Sequence, residues 1–394
     1  MKKLLGLLLV LTMGYPVSAD VLKNVDLKGE VQVIGSDVRD HRLEYNSGTN
    51  LRVLAGASFD LVEDVRANLL FGYANSWGSS TDGVKGSNVQ HYWDNVDLAE
   101  ANIVLSNLFD CFELTIGRQF YGDEDSAVMY FGPGHYNAET NDHWAALDAV
   151  KFNYADDYKS FTMLAGKMLG TETPLTNGFE GEVYGADFKL NLADNLQWQV
   201  YGYNFQNLKY YDEETSAEKA AEHQNSGFYG TKLTFAPEAF TLAAEYARNF
   251  GGERLVKEEQ GTGYFLKADA ALNLDAFTPR AAFVYSNEFL GFGNYTPGLL
   301  VGDFEDVLAQ EIRLYNIGVD FNTGKWTFAL DGFAFQDRYG HHAATWEADL
   351  TAKYAHNEYV DLFAGVGYAK FGTETKADEG RDNTKGQLGI LVKF

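Results

Sequence analysis

Apolar and polar residues alternate with period two along almost the whole chain. Val25, Leu27, Gly29, Val31 and Val33 interleave with Asp26, Lys28, Glu30 and Gln32. Val65, Ala67, Leu69, Phe71 and Tyr73 stand opposite Arg66 and Asn68, and Trp346, Ala348, Leu350, Ala352 and Tyr354 opposite Glu347, Asp349, Thr351 and Lys353. The last row is Leu388, Ile390, Val392 and Phe394. Such alternation marks strands with one apolar face. About 18 segments of roughly 9–11 residues are expected, with 16 as the alternative, each long enough to cross a bilayer at a tilt.

The connections alternate in length. Tight turns fall at 61–64, 107–111, 155–158, 191–195, 236–239, 273–276, 322–325 and 355–358. Long connections fall near 40–50, 75–95, 120–144, 170–180, 207–225, 250–261, 288–310, 337–344 and 371–383. Short turns at one end and long loops at the other predict an all-β, antiparallel transmembrane barrel with short periplasmic turns and long extracellular loops. Closure satisfies every backbone group within lipid, so only the outward side chains need be apolar. Trp77, Trp198, Trp326, Trp346, Tyr354 and Tyr359 lie near strand ends, where interfacial girdles form. Tyr201, Tyr203, Tyr229 and Phe333 are expected in the girdle or on the lipid face, with a sugar-stacking surface as the alternative.

Composition narrows the picture. Of 394 residues, 31 are Lys or Arg and 56 Asp or Glu, a formal net charge of −25. So acidic a chain is a poor partner for nucleic acid. One Cys excludes a disulfide framework and a multi-thiolate metal site. Mean hydropathy is −0.27, and beyond the N-terminus no apolar run reaches the length of a membrane helix. Residues 1–19 have the layout of a cleaved signal peptide: Lys2 and Lys3, an apolar stretch from Leu4 to Met13, then Val17-Ser18-Ala19. Residues 20–394 are expected to form a single domain.

The stretch Phe112-Glu-Leu-Thr-Ile-Gly-Arg118-Gln119-Phe-Tyr-Gly122-Asp-Glu-Asp125 resembles Gram-negative outer-membrane porins, and with the strand count is more similar to their alginate-export-type members. The resemblance implies that a Gly-Arg-Gln strand leads into a third long loop, here residues 120–144, which folds inward and narrows the pore. It also implies that terminal Phe394 is read by the barrel-assembly machinery. A porin-like channel passing small hydrophilic solutes by diffusion follows from it, without cofactor, metal or catalysis. Dedicated polysaccharide export or oligosaccharide uptake is one alternative. A loop-based adhesin or surface enzyme on a plugged barrel is another.

A pore selects by the charges at its narrowest section. Asp123, Glu124, Asp125, Glu139 and Asp142 are candidates on the third loop, facing Arg66, Lys151, Lys189, Lys232, Lys267 and Arg280 on the wall. Arg118 joins the pore-lining set through its motif, although its strand parity is ambiguous. Sorting strand charges by parity gives a mixed wall. Lys28, Arg52, Lys353 and Lys393 join the six basic candidates. Glu30, Asp60, Glu100, Glu113, Asp187, Glu245, Asp269, Asp320, Asp331, Glu347, Asp349 and Asp361 oppose them. Such a wall offers a polyanion such as alginate no arginine-rich lining. The excess acid is expected in the outer mouth, where lipopolysaccharide and divalent ions are met, giving weak cation preference. All eight histidines fall in loops or turns, so no Ser/His constellation forms on a strand, and Cys111 is a free thiol in a turn.

Overall fold

In a computed structural model, residues 23–39, 45–77, 96–134, 144–168, 180–212, 217–220, 225–251, 263–293, 295, 297–300, 311–337, 345–370 and 382–394 are described. The signal segment, Glu139 and Asp142 lie outside them. Alternation becomes strands almost wherever it occurs. In chain order these are β1 (Lys23–Arg39), β2 (Tyr45–Val62), β3 (Val65–Trp77), β4 (Asp97–Leu108), β5 (Phe112–Gln119), β6 (Leu147–Ala155), β7 (Lys159–Met168), β8 (Glu180–Ala193) and β9 (Leu196–Asp212). There follow β10 (Ala217–Ala220), β11 (Asn225–Phe235), β12 (Phe240–Gly251), β13 (Tyr264–Leu272), β14 (Phe277–Asn287), β15 (Glu311–Thr323), β16 (Trp326–Asp337), β17 (Thr345–Ala355), β18 (Val360–Lys370) and β19 (Asp382–Lys393).

Each strand pairs antiparallel with its neighbours, and β19 returns to β1 over ten register pairs from Glu30↔Lys393 to Arg39↔Thr384. Phe394 seals the seam, its N–H donating to the Gly29 carbonyl and the Gly29 N–H to its own. The four-residue β10 pairs only with the end of β9, while β11 takes the next place in the wall, so the closed barrel has eighteen strands. Closure leaves no free edge. The tight turns stand where the sequence puts them. Two long connections are shorter than expected: β2 already begins at Tyr45, and β9 runs on to Asp212.

Two periodicities meet in the wall. Outward positions expose large apolar side chains, among them Ile317, Leu330, Leu350, Val366 and Leu388. Aromatics gather at strand ends: Trp326 stacks on Phe328 at 5.6 Å and meets Tyr354 at 4.7 Å beside a short turn, and Trp346 meets Tyr368 at 5.3 Å toward the long loops. Inward positions carry ion pairs. Arg52 meets Glu30 at 2.7 Å, Lys28 meets Glu100 at 2.9 Å, and Lys353 meets Asp361 at 2.8 Å. The sorting of charges by parity therefore groups on one face side chains that meet there.

Part of the inner wall is apolar instead. Leu147, Leu164, Val183, Tyr201, Tyr203, Phe205, Phe228, Phe265, Val284 and Leu314 form one buried cluster. Tyr201, Tyr203 and Phe333 thus face inward under other residues, whereas Tyr229 stands half-exposed on the outer face. The lipid-face expectation holds only for Tyr229. What covers this apolar arc is the candidate site.

Candidate functional site: two segments inside the barrel

At the end of β5 the wall lets its chain go. Gly117 has φ 121° and lies so close to β4 that a side chain would meet the Ala101 carbonyl at 2.3 Å. Only glycine takes that backbone easily. Gln119 then turns inward and is buried, its amide nitrogen donating to the carbonyls of Gly117 (3.1 Å) and Ala149 (3.0 Å). Arg118 points the other way. It shares the outer face with Ile116, forms a two-pronged pair with Asp148 at 2.8 and 3.2 Å, and donates to the Leu98 carbonyl. The expectation that Arg118 lines the pore is corrected: strand alternation places it on the outside. The Gly-Arg-Gln stretch is a device for leaving the strand.

Residues 120–134 then run across the inner wall. Tyr121 pairs with Phe131 by two backbone hydrogen bonds of 2.7 Å, closing the segment on itself. The Tyr121 hydroxyl shares a 2.7 Å hydrogen bond with that of Tyr203. Burial pushes the Tyr121 phenol up to about 12, so it stays neutral there. Ala127, Val128, Met129 and Phe131 join the buried cluster of the wall. On the far side Phe120 and Trp144 pack on Leu54, Leu70 and Ala99, and Trp144 fills the space that a side chain at Gly72 would take.

A second segment, which sequence reasoning treated as an ordinary long loop, meets the first. Beyond β14, Phe292 forms a parallel bridge with Met129: Tyr130 N–H donates to the Phe292 carbonyl at 2.7 Å, and Phe292 N–H to that of Val128 at 2.8 Å. Phe292 packs on Phe205 at 4.4 Å, and Phe289 on Phe265 at 4.8 Å and Phe228 at 5.6 Å. The Asn249 amide meets both polar groups of the Leu290 backbone, at 2.7 and 2.9 Å. Further on, Leu299 and Leu300 rest against β17 and β18. The available signal was composition: Phe289, Leu290, Phe292, Leu299 and Leu300 are too apolar for a solvated loop.

The charged candidates divide. Arg66 pairs with Asp60 at 3.4 Å and with Asp26, Lys267 with Asp269 at 3.3 Å, and Arg280 with Asp320 at 3.1 Å and Asp331 at 2.5 Å. These three are met by acids of the wall. Among the described residues, Lys189 is met by the third loop, its ammonium 3.5 Å from Asp123. Lys189, Gln199, Lys232, Glu245 and Lys267 occupy successive rungs of one inward row across β8, β9, β11, β12 and β13. Lys151 lies on another, between Thr115 and Leu164. Asp123, Glu124 and Asp125 are exposed, Asp123 at 84%, and Asp123 reaches Lys189 of β8, four residues before that strand ends at a short turn. Among the described residues no group of His, Cys, Asp and Glu has the arrangement of a metal site.

No protein-family model and no curated protein matches the chain. Solved structures do. OpdO of Pseudomonas aeruginosa superposes with a TM-score of 0.66 at 9% identity, over 95% of this chain and 98% of that one. OccAB4 of Acinetobacter baumannii gives 0.63 at 9%, over 96% and 100%. The outer membrane protein OprD of Pseudomonas aeruginosa gives 0.62 at 11%, over 96% of each. The fold is that of the OprD/Occ porins. Identity this low carries architecture and no residue roles, and the likeness to alginate-export barrels inferred from the Gly-Arg-Gln stretch is not what these structures display.

Proposed function

We propose that this chain is an outer-membrane porin. It passes small hydrophilic solutes by diffusion through a water-filled lumen narrowed by the third long loop together with residues 289–300. The observation that carries the reading is a closed barrel with an apolar outer face, an ion-paired inner wall and two chain segments packed within it. Passage needs no cofactor and no chemistry: solute exchanges bulk water for the polar part of the wall. Residues 1–19 direct export to the Gram-negative outer membrane, Phe394 is presented to the barrel-assembly machinery, and the long loops meet lipopolysaccharide. Paired wall charges largely cancel, so exposed Asp123, Glu124 and Asp125 give the conduit weak cation preference.

Planar-bilayer recording of the purified protein tests this. Stepwise ohmic currents, with a reversal potential of cationic sign in a salt gradient, are expected. Absence of current in both orientations would sink the reading.

A plugged barrel bearing a surface function is the second reading, favoured by how much apolar packing joins the inner segments to the wall. It requires silent bilayers from intact protein. Polysaccharide export has less support. The basic row is interrupted by Glu245, and Arg66 and Arg280 are held by carboxylates, so a polyanion finds no continuous basic track.

A further inference from the structure

Three charged side chains on the inner wall are almost wholly buried: Glu347 at 1% exposure and Asp349 at 3% on β17, and Lys385 at 2% on β19. Burying an ion costs several kcal/mol unless hydrogen bonds replace its water. Here the replacements come from the backbone of the second inward segment. Leu299 N–H donates to Glu347 Oε1 and to Asp349 Oδ2, each at 2.8 Å, and Leu300 N–H donates to Glu347 Oε1 at 2.7 Å. Lys385 Nζ donates to the Leu299 carbonyl at 2.9 Å. Gly298, at φ 73°, makes the turn that presents two successive N–H groups in one direction, and a side chain there would meet Glu347 Oε1 at 2.8 Å.

We infer that Glu347, Asp349 and Lys385 are positioning residues that latch residues 297–300 to the wall and so set the width of the conduit. The inference rests on the reading of these segments as a constriction. The grip falls on main-chain groups, so it fixes where the segment lies whatever side chains it bears. An apolar wall would hold Leu299 and Leu300 by packing alone, at lower desolvation cost. Asp349 even keeps Oδ1 buried with no hydrogen-bond partner among the described residues. Two neighbouring carboxylates close over one loop turn. The Asn249 amide, by contrast, tethers Leu290 without charge.

The test compares full-length variants in a Cys111→Ser background, which removes the native thiol. Glu347→Ala/Asp349→Ala deletes the acceptors, while Glu347→Gln/Asp349→Asn keeps an acceptor oxygen at each position. In bilayers the alanine pair is expected to raise mean conductance or open-channel noise about twofold, and the amide pair to stay near the parent. A disulfide between Leu299→Cys and Gly367→Cys, added to the alanine pair, should restore parental conductance and lose it on reduction. A Cβ at Gly367 would stand 3.2 Å from that of Leu299, and the alanine at 349 clears the oxygen that would crowd it. A second readout needs no current. Thiol-reagent labelling of Leu300→Cys should quicken about fivefold in the alanine pair, because local opening exposes it.

Unchanged conductance and labelling in a folded alanine pair would overturn the latch. So would a rise in conductance that the oxidised tether fails to reverse. Silent bilayers from every variant, with labelling still accelerated by the alanines, would defeat the porin reading and leave the tether itself standing.

Discussion

Residues 120–134 and the described residues of 289–300 both leave the wall and pack inside it, but they are held by different chemistry. The first closes on itself through Tyr121 and Phe131 and leans on the wall through a neutral phenol pair and apolar rings. The second is described through its contacts with other parts of the chain. It borrows backbone partners from Val128 and Tyr130, an amide from Asn249, and at its far end the buried ions of β17 and β19. A self-closed segment keeps its shape when one wall contact goes. A borrowed one takes its position from each contact separately.

The sharpest way to break the pair is at their junction. Phe292 is buried among Phe205, Phe131 and the Val128–Tyr130 backbone, so Phe292→Asp would put a charge where no partner awaits it. The expected cost is about 3–5 kcal/mol, by loss of aromatic packing and burial of an unpaired group. Because the barrel ladder is independent of Phe292, the loss should appear as detachment of the inner segments. Conductance should rise while the temperature of the barrel's heat-modifiable gel shift falls only slightly. A variant that lowers the gel-shift temperature sharply at parental conductance would show that the segments brace the barrel instead.

How the sequence announces each region follows from physics. Alternation, turn positions and the charge parity of the wall were legible because a strand has only two faces and lipid accepts only apolar groups. That rule puts Lys28 with Glu100, Arg52 with Glu30 and Arg280 with Asp320 on one face, where each pair meets. Within the site the same rule loses power. Arg118 was misplaced because its motif was followed in place of alternation: the register runs unbroken through Gly117, so Arg118 shares the outer face with Ile116. Tyr201, Tyr203 and Phe333 looked like lipid-facing aromatics because an inner wall is expected to be polar. They face inward because other segments cover them. Residues 289–300 were passed over for lack of charge. Asp123–Asp125 drew attention to the third loop, yet the feature common to both inward segments is an apolar run inside a long connection. In Ala127–Phe131 and in Phe289–Phe292 that run is the better sign.

Charge offers a gentler way to separate the two segments. The third loop carries exposed acids, whereas the acids at the second segment belong to the wall and are consumed by it. Neutralising Asp123, Glu124 and Asp125 together should lower the cation-to-anion permeability ratio about twofold, read from reversal potentials in a salt gradient. Neutralising Glu374, Asp378 and Glu379, acids of the long connection at 371–383 that stand for the outer mouth, should change it less. Equal shifts from the two triplets would remove the constriction role from the first.

Smallest of all should be the loss of one hydroxyl. Tyr121→Phe keeps the ring against Tyr203 but deletes its hydrogen bond, at a cost of about 0.5–1.5 kcal/mol. The pH dependence fixes the sign. Folded Tyr121 is pushed up by burial to about 12 from its usual value of 10, so the folded state resists ionisation and the unfolded chain does not. Below pH 10 both states hold the proton, and the parent's advantage over Tyr121→Phe is constant. Above it the unfolded parent releases a proton that the folded parent retains, so the advantage shrinks as pH rises toward 12. Thermal unfolding in detergent at neutral pH and near pH 11 should resolve this narrowing. A gap that stays constant with pH would mean that Tyr121 is solvated, and that the third loop is less firmly closed on the wall than the second segment is by its buried ions.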